Sequence, residues 1–122
     1  MRKYTETHEW IEIEGETATV GITQYAQKEL GEIVYVELPK VGRQVSANSE
    51  AAVLESTKAA ADVYSPATGQ ILEVNSQLSQ ATDLINHSPE KEGWLFKLKL
   101  NNAQELSQLM DNDGYQQMLK RK

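Results

Sequence analysis

The chain has 122 residues, with 18 acidic and 12 basic side chains and a formal net charge of −6. That length suits one domain around a single core. The acidic balance disfavours nucleic acid and anionic membrane as partners, but it is compatible with docking onto basic patches of other proteins. Hydrophobic residues make up 39% of the chain and are spread along it, so no stretch reaches the roughly 20 consecutive apolar residues of a membrane span.

Cysteine is absent, and the only histidines are His8 and His87. This excludes disulfides, thiolate ligands and a cysteine nucleophile, and leaves no histidine-rich metal site. The opening Met1-Arg2-Lys3-Tyr4-Thr5-Glu6 has no apolar signal-peptide core, so a cytoplasmic location is expected.

Residues 8–14 alternate after Trp10 and predict a strand. Gly15-Glu16 is a turn, and Thr17 to Ile22 alternates with Ala18, Val20 and Ile22 on one face, which completes a hairpin. Thr23 caps a short helix from Gln24 to Leu30, and Gly31 is placed to end it. Ile33 to Leu38 is a β-rich stretch stopped by Pro39, because proline cannot donate to a sheet ladder. Val41 to Val45 is a short extended piece, and Ser46 to Ser49 has turn composition.

Next come two apolar arms, Ala51 to Leu54 and Ala61 to Tyr64, around the small polar centre Glu55 to Ala60. Ser65 to Gly69 forms a turn, and Gln70 to Val74 is a strand. Residues 75–93 are polar and read as irregular, with an apolar pair at Leu84-Ile85. Trp94 to Leu100 predicts a strand with Trp94, Phe96, Leu98 and Leu100 facing inward. Asn102 caps a helix with Leu106, Leu109 and Met110 on its apolar face, Asp111 to Gly114 breaks it, and Tyr115, Met118 and Leu119 mark a second short helix.

About seven short strands with frequent turns indicate a small, mainly β sandwich or flattened barrel with peripheral helices. Val41-Gly42-Arg43-Gln44-Val45 and Thr68-Gly69-Gln70-Ile71 echo one another on either side of the central arms, which suits two similar half-sheets.

Lys58 is the one lysine of the central stretch, with Lys40 and Lys91 its nearest lysine neighbours in the sequence. Thr57, Ala59 and Ala60 leave room around it. The side chain is either an ordinary surface lysine in a turn or a displayed one that carries a cofactor. No phosphate-binding loop and no G-x-S-x-G elbow occurs, and no pair among the 18 carboxylates stands out as acid and base. With no catalytic set in the polypeptide, an attached group would supply the chemistry and the protein its presentation. A lysine amine forms a stable amide with a carboxylate-bearing cofactor, and its long stem extends the reach of the group. Glu55, Ser56, Thr57, Ala59 and Asp62 flank it as candidate recognition elements for a modifying ligase.

The chain resembles the glycine cleavage H-protein family of lipoyl carriers. The resemblance rests on His8-Glu9-Trp10, Val20-Gly21-Ile22-Thr23, Ala26-Gln27, Leu30-Gly31-Glu32, Val36-Glu37-Leu38-Pro39, Val41-Gly42, Glu55-Ser56-Thr57-Lys58-Ala59, Asp62-Val63-Tyr64-Ser65-Pro66, Gly69, Val74-Asn75, Leu84-Ile85-Asn86 and Gly93-Trp94, in that order. It implies a lipoyl-domain-like barrel-sandwich hybrid over residues 1–122, with a lipoyl hairpin at about 51–66 and a helical segment at about 102–120. It further implies a non-catalytic carrier with lipoic acid held as an amide on Lys58. Its partners would be a lipoate ligase or lipoyl transferase, glycine decarboxylase (P protein), aminomethyltransferase (T protein) and dihydrolipoamide dehydrogenase (L protein). Glu9 is carried over to a surface cleft that receives the loaded arm. Thr57 departs from the usual hydrophobic residue, Asn48-Ser49 from a Gly-Asp-type turn, and Ser76, Gln77, Gln80 and Thr82 from an acidic-proline pattern. A biotin carrier is the related alternative, but such carriers place methionines beside the lysine where this chain has Thr57 and Ala59.

Overall fold

A computed structural model describes residues 1–121. Two sheets of unequal size face each other across the core. The larger runs β1 (Arg2–Tyr4), β2 (Glu9–Glu14), β3 (Thr17–Ile22), β9 (Phe96–Leu100), β8 (Gly69–Val74) and β5 (Gln44–Val45) in spatial order. The smaller has β6 (Glu50–Ser56) at its centre, flanked by β4 (Ile33–Glu37) and β7 (Ala60–Tyr64). All neighbouring strands pair antiparallel. Among the described residues no helix is long and apolar enough to cross a membrane.

Alternation explains the packing. Ala18, Val20 and Ile22 of β3 and Phe96 and Leu98 of β9 are buried, while Lys99 is exposed. They meet Leu54 of β6, Ile33 and Val36 of β4 and Val63 of β7 in one cluster. Each of these valine, leucine, isoleucine and phenylalanine side chains contributes about 1.5–3 kcal/mol when fully buried. Helix α1 (Gln24–Leu30) starts at Thr23, whose Oγ1 accepts from the Ala26 N–H at 3.2 Å.

Several segments depart from the sequence-based expectations. Arg2–Tyr4, with no strand expected there, pairs with β2, because an edge strand needs only one partner ladder. The polar stretch 75–93 contains a 3₁₀ turn (Ser76–Ser79) and helix α2 (Asp83–His87). Buried Leu78 and Ile85 anchor it, one in each short element, among polar neighbours that hide the pattern. β9 starts at Phe96 rather than Trp94. Leu95 is fully buried, and Trp94 packs at the edge of a separate aromatic cluster. Asn102 does cap a helix, but a 3₁₀ one (Ala103–Gln108). The chain then turns extended so that Met110 can bridge to Tyr4. Asp111 to Gly114 does not break a helix. Asp111 Oδ1 accepts from the Gly114 N–H at 2.8 Å and starts helix α3 (Asn112–Lys120). The two echoing segments do not lie in separate half-sheets but pair with each other, Gln44 opposite Gln70 and Val45 opposite Gly69.

Two motif asparagines fasten the frame. Asn86 Oδ1 accepts from the Ile33 N–H at 2.7 Å, and its Nδ2 donates to the Ile33 carbonyl at 3.0 Å. It thereby acts as a strand partner for the start of β4. Asn75 Nδ2 donates to the carbonyls of Glu92 and Trp94, both at 2.9 Å.

Candidate functional site

Strands β6 and β7 are joined by Thr57-Lys58-Ala59, a tighter connection than the Glu55–Ala60 centre expected from composition. Ser56 builds the turn. Its Oγ accepts from the N–H groups of Lys58 and Ala59, both at 3.1 Å, and its own N–H donates to the Ala59 carbonyl at 2.8 Å. This is how a short hydroxyl side chain substitutes for backbone pairing in a tight turn. The Thr57 N–H donates to the Glu32 carbonyl at 3.0 Å and ties the tip to the end of α1. Thr57, Lys58, Ala59 and Ala60 are all exposed, and no carboxylate among the described residues forms a salt bridge with Lys58.

The lysine stem runs past the C-terminus of α1. Gly31 ends that helix at φ 87°, ψ −157°, a backbone region that is essentially glycine's alone. A Cβ placed there would lie 2.8 Å from Lys58 Cε. Gly31 thus provides both the turn that ends the helix and the space for the lysine stem.

Leu30, the residue before Gly31, lines a cleft of about 190 Å³. One wall is Thr7, His8 and Glu9, and α1 supplies Ala26, Glu29 and Leu30. The lysine hairpin adds Leu54, Ala61, Asp62 and Val63, and Ile22 completes the lining. The interior is mostly apolar, with carboxylates at three points. The cleft brings Glu9 and Asp62 together. Glu55 stays outside it, exposed on β6 opposite Tyr35 and Ala60. A larger hollow of about 380 Å³ lies between Thr5, Asn48, Pro66 and Met110, at the far end of the β6–β7 hairpin from Lys58. Its position separates it from the lysine, so the smaller cleft is the candidate site.

Glu9 is only 2% exposed. Its Oε1 accepts from the Thr5 and Thr7 hydroxyls, each at 2.5 Å, and its Oε2 accepts from the Tyr64 N–H at 3.3 Å. Burial pushes its carboxyl above the usual range, and the three donors pull it back only in part. No lysine or arginine among the described residues forms a salt bridge with it. The ionised form, held by neutral donors alone, is costly to bury, so a positive charge beside it would favour that form.

Behind Thr7–Glu9 lies an aromatic cluster. Tyr115 of α3 is 2% exposed and stacks on Tyr4, with ring centroids 4.8 Å apart. Its hydroxyl lies 2.8 Å from His8 Nδ1 and 2.7 Å from Thr23 Oγ1, within hydrogen-bonding distance of both. Burial pushes the phenol up to about 12, so it stays protonated at neutral pH. Sequence reasoning found Glu9 but missed Thr5, Thr7, Tyr64 and Tyr115. Thr5 and Thr7 at two-residue spacing before Glu9 are a usable signal in retrospect. No sequence signal links Tyr115 to His8, 107 positions away.

A two-sheet β fold that presents a lysine on a tight hairpin, next to a small cleft with a buried acid, defines a carrier-type domain of the lipoyl barrel-sandwich class. Known proteins agree. The family model described as Glycine cleavage H-protein matches residues 2–122. A glycine cleavage system H protein of Thermotoga maritima is 54% identical over 117 residues, covering 96% of this chain and 94% of the relative. One from Methylacidiphilum infernorum is 52% identical over 121 residues, covering 99% and 94%. The crystal structure of a glycine cleavage system H protein from Mycobacterium marinum superposes with a TM-score of 0.89 at 36% identity, covering 98% of this chain and 96% of that one. The chain belongs to the glycine cleavage H-protein family. The barrel-sandwich expectation is thereby met.

Proposed function

We propose that residues 1–122 act as one lipoyl-carrier domain of the glycine cleavage system, with lipoic acid attached as an amide to Lys58 Nζ. The observation that carries this is the exposed Lys58, on a turn fixed by Ser56, beside a cleft with apolar walls and a buried carboxylate. The residues fit the group. The amine is accessible, the neighbouring Ala59 and Ala60 are small, and Ile22, Ala26, Leu30, Leu54 and Val63 provide an apolar seat for an alkyl arm and its ring.

Held on Lys58, a lipoyl group would supply redox-active disulfide chemistry for carrying the aminomethyl group of glycine, and the chain would present it in turn to the decarboxylase (P protein), the aminomethyltransferase (T protein) and dihydrolipoamide dehydrogenase (L protein). The chain itself presents, orients and shelters. Ser56 holds the tip in one conformation for a lipoate ligase or lipoyl transferase, and Glu55, Thr57, Ala59 and Asp62 form the surface that enzyme meets. Glu9, when ionised, would place negative charge inside the cleft, where an ammonium group would neutralise it. The apolar walls exclude water from whatever rests between them.

Intact-mass measurement after expression in a cell able to make both lipoic acid and biotin tests the reading. One lipoyl increment that disappears in Lys58→Arg is expected. A biotin increment, or none despite active ligases, would sink it. A glycine–bicarbonate exchange assay with the decarboxylase then separates a glycine-cleavage carrier from a lipoyl relay to other complexes.

A further inference from the structure

We propose that Tyr115 is a positioning residue whose hydroxyl holds the two walls of the cleft in register, so that the C-terminal helix governs how well the cleft shelters what Lys58 carries. This rests on the carrier reading above and extends it to a part of the fold outside the cleft.

The two walls come from different segments. One is Thr7-His8-Glu9, and the other is α1 with Ala26, Glu29 and Leu30. The Tyr115 hydroxyl lies 2.8 Å from His8 Nδ1 in the first wall and 2.7 Å from Thr23 Oγ1, at the cap of the helix that forms the second. Thr23 Oγ1 is also the N-cap of α1, so the contact bears on that helix at its first turn. A phenol donates one hydrogen bond and accepts others, so a single hydroxyl can serve both neighbours.

His8 has a particular need for fixing. It sits at φ 72°, in the left-handed region that residues other than glycine adopt only when held there. Its carbonyl accepts from the Thr23 N–H at 3.0 Å, and its ring meets Tyr25 with centroids 4.7 Å apart. Its backbone conformation decides where Thr7 and Glu9 point. The Tyr115 ring is seated independently, stacked on Tyr4 with 9° between the planes. The ring already docks α3, and of the hydroxyl's partners His8 lines the cleft while Thr23 caps the helix that forms its other wall.

The test is Tyr115→Phe, which keeps the ring and its stacking. In the unmodified chain, backbone amide exchange at Thr7–Glu9 and Gln24–Leu30 is expected to accelerate about tenfold, the scale of one lost hydrogen bond, while exchange in β6, β7 and β9 is unchanged. In the lipoylated chain loaded from glycine by the decarboxylase, the loaded form followed by mass spectrometry is expected to decay several-fold faster than in the parent. Leu119→Ala loosens the packing of α3 on the aromatic cluster without touching the hydroxyl, and is expected to lower stability with little change in decay. Unchanged exchange and decay in Tyr115→Phe would overturn the proposal, as would equal acceleration throughout the core or equal loss of shelter in Leu119→Ala. A parent chain that takes no lipoyl group, or whose loaded form decays as fast as loaded free lipoamide, would instead bring down the carrier reading and this proposal with it.

Discussion

The tip that displays Lys58 and the wall that holds Glu9 line one small region but are built in opposite ways. The tip is local. Its hydrogen bonds run between residues 56 and 59, apart from the Thr57 N–H to Glu32, and the side chains of Thr57, Lys58 and Ala59 are exposed. The wall is assembled from afar. Glu9 is buried and meets Thr5, Thr7 and Tyr64, while the adjacent His8 meets Tyr115 from the end of the chain. Display needs only a tight turn and empty space around an amine. Shelter needs a buried polar group with a donor on each oxygen, and only tertiary structure brings those donors together. Damage to the tip should therefore act on modification, and damage to the wall should act on protection.

Gly31 tests that division most severely, because it belongs to both. Its backbone conformation ends α1, and the space above it holds the Lys58 stem. Gly31→Ala forces a Cβ into a conformation that costs of order 1–3 kcal/mol for other residues. The lysine stem can swing aside at little cost, because its far end is free. Chemical denaturation should show a loss of about 2 kcal/mol, while the fraction of Lys58 modified by a ligase stays at the parent level. Loss of modification with unchanged stability would mean that the tip depends on its seat and is not self-contained.

The same division decided what could be read from the sequence. The lysine turn was legible because its determinants are neighbours: Ser56, Lys58 and Ala59 stand together, and the flanking apolar arms alternate. The strands of the larger sheet were legible because Ala18, Val20 and Ile22, or Phe96 and Leu98, repeat at the pleat spacing. The β1 strand was not, since Arg2-Lys3-Tyr4 gains its ladder from β2 and not from its own pattern. Asp111 to Gly114 has the composition of a breaker, yet the same residues form a helix N-cap once Met110 is pinned to Tyr4. Glu9 was reached only through family resemblance. Locally, only the spacing of Thr5 and Thr7 before it hints that an acid next to Trp10 is buried.

A smaller effect is expected at Ser56. Its hydroxyl serves the N–H groups of Lys58 and Ala59 in an exposed turn, where water can replace it. Ser56→Ala should cost about 1 kcal/mol or less, with faster amide exchange confined to residues 57–59. A lower rate of ligase modification at unchanged final extent would show that the turn pre-organises the lysine. Faster exchange at Thr7–Glu9 would contradict the separation of tip from wall.

Glu9→Gln should have the smallest net effect on stability at neutral pH, because two terms oppose each other. The charged carboxylate costs desolvation, which the neutral amide avoids. The amide also loses acceptor strength toward the Thr5 and Thr7 hydroxyls and turns one end into a donor, which cannot serve the Tyr64 N–H. Their balance depends on pH in a defined direction. The folded protein raises the Glu9 carboxyl above its unfolded value, so folding favours the protonated acid. The parent's stability from this group is then fully present below the unfolded value near pH 4.3 and is lost as pH rises through the raised folded value. The glutamine has no such loss. Thermal denaturation of the two proteins between about pH 4 and pH 8 should therefore show the difference moving in favour of the variant as pH rises. Movement the other way would mean that the three hydrogen bonds outweigh burial and that Glu9 is a comfortable structural acid, with no cost for a docked cation to relieve. If the expected direction holds while the loaded arm loses protection in Glu9→Gln, then the charge that burdens the empty cleft is the one that serves the carried group.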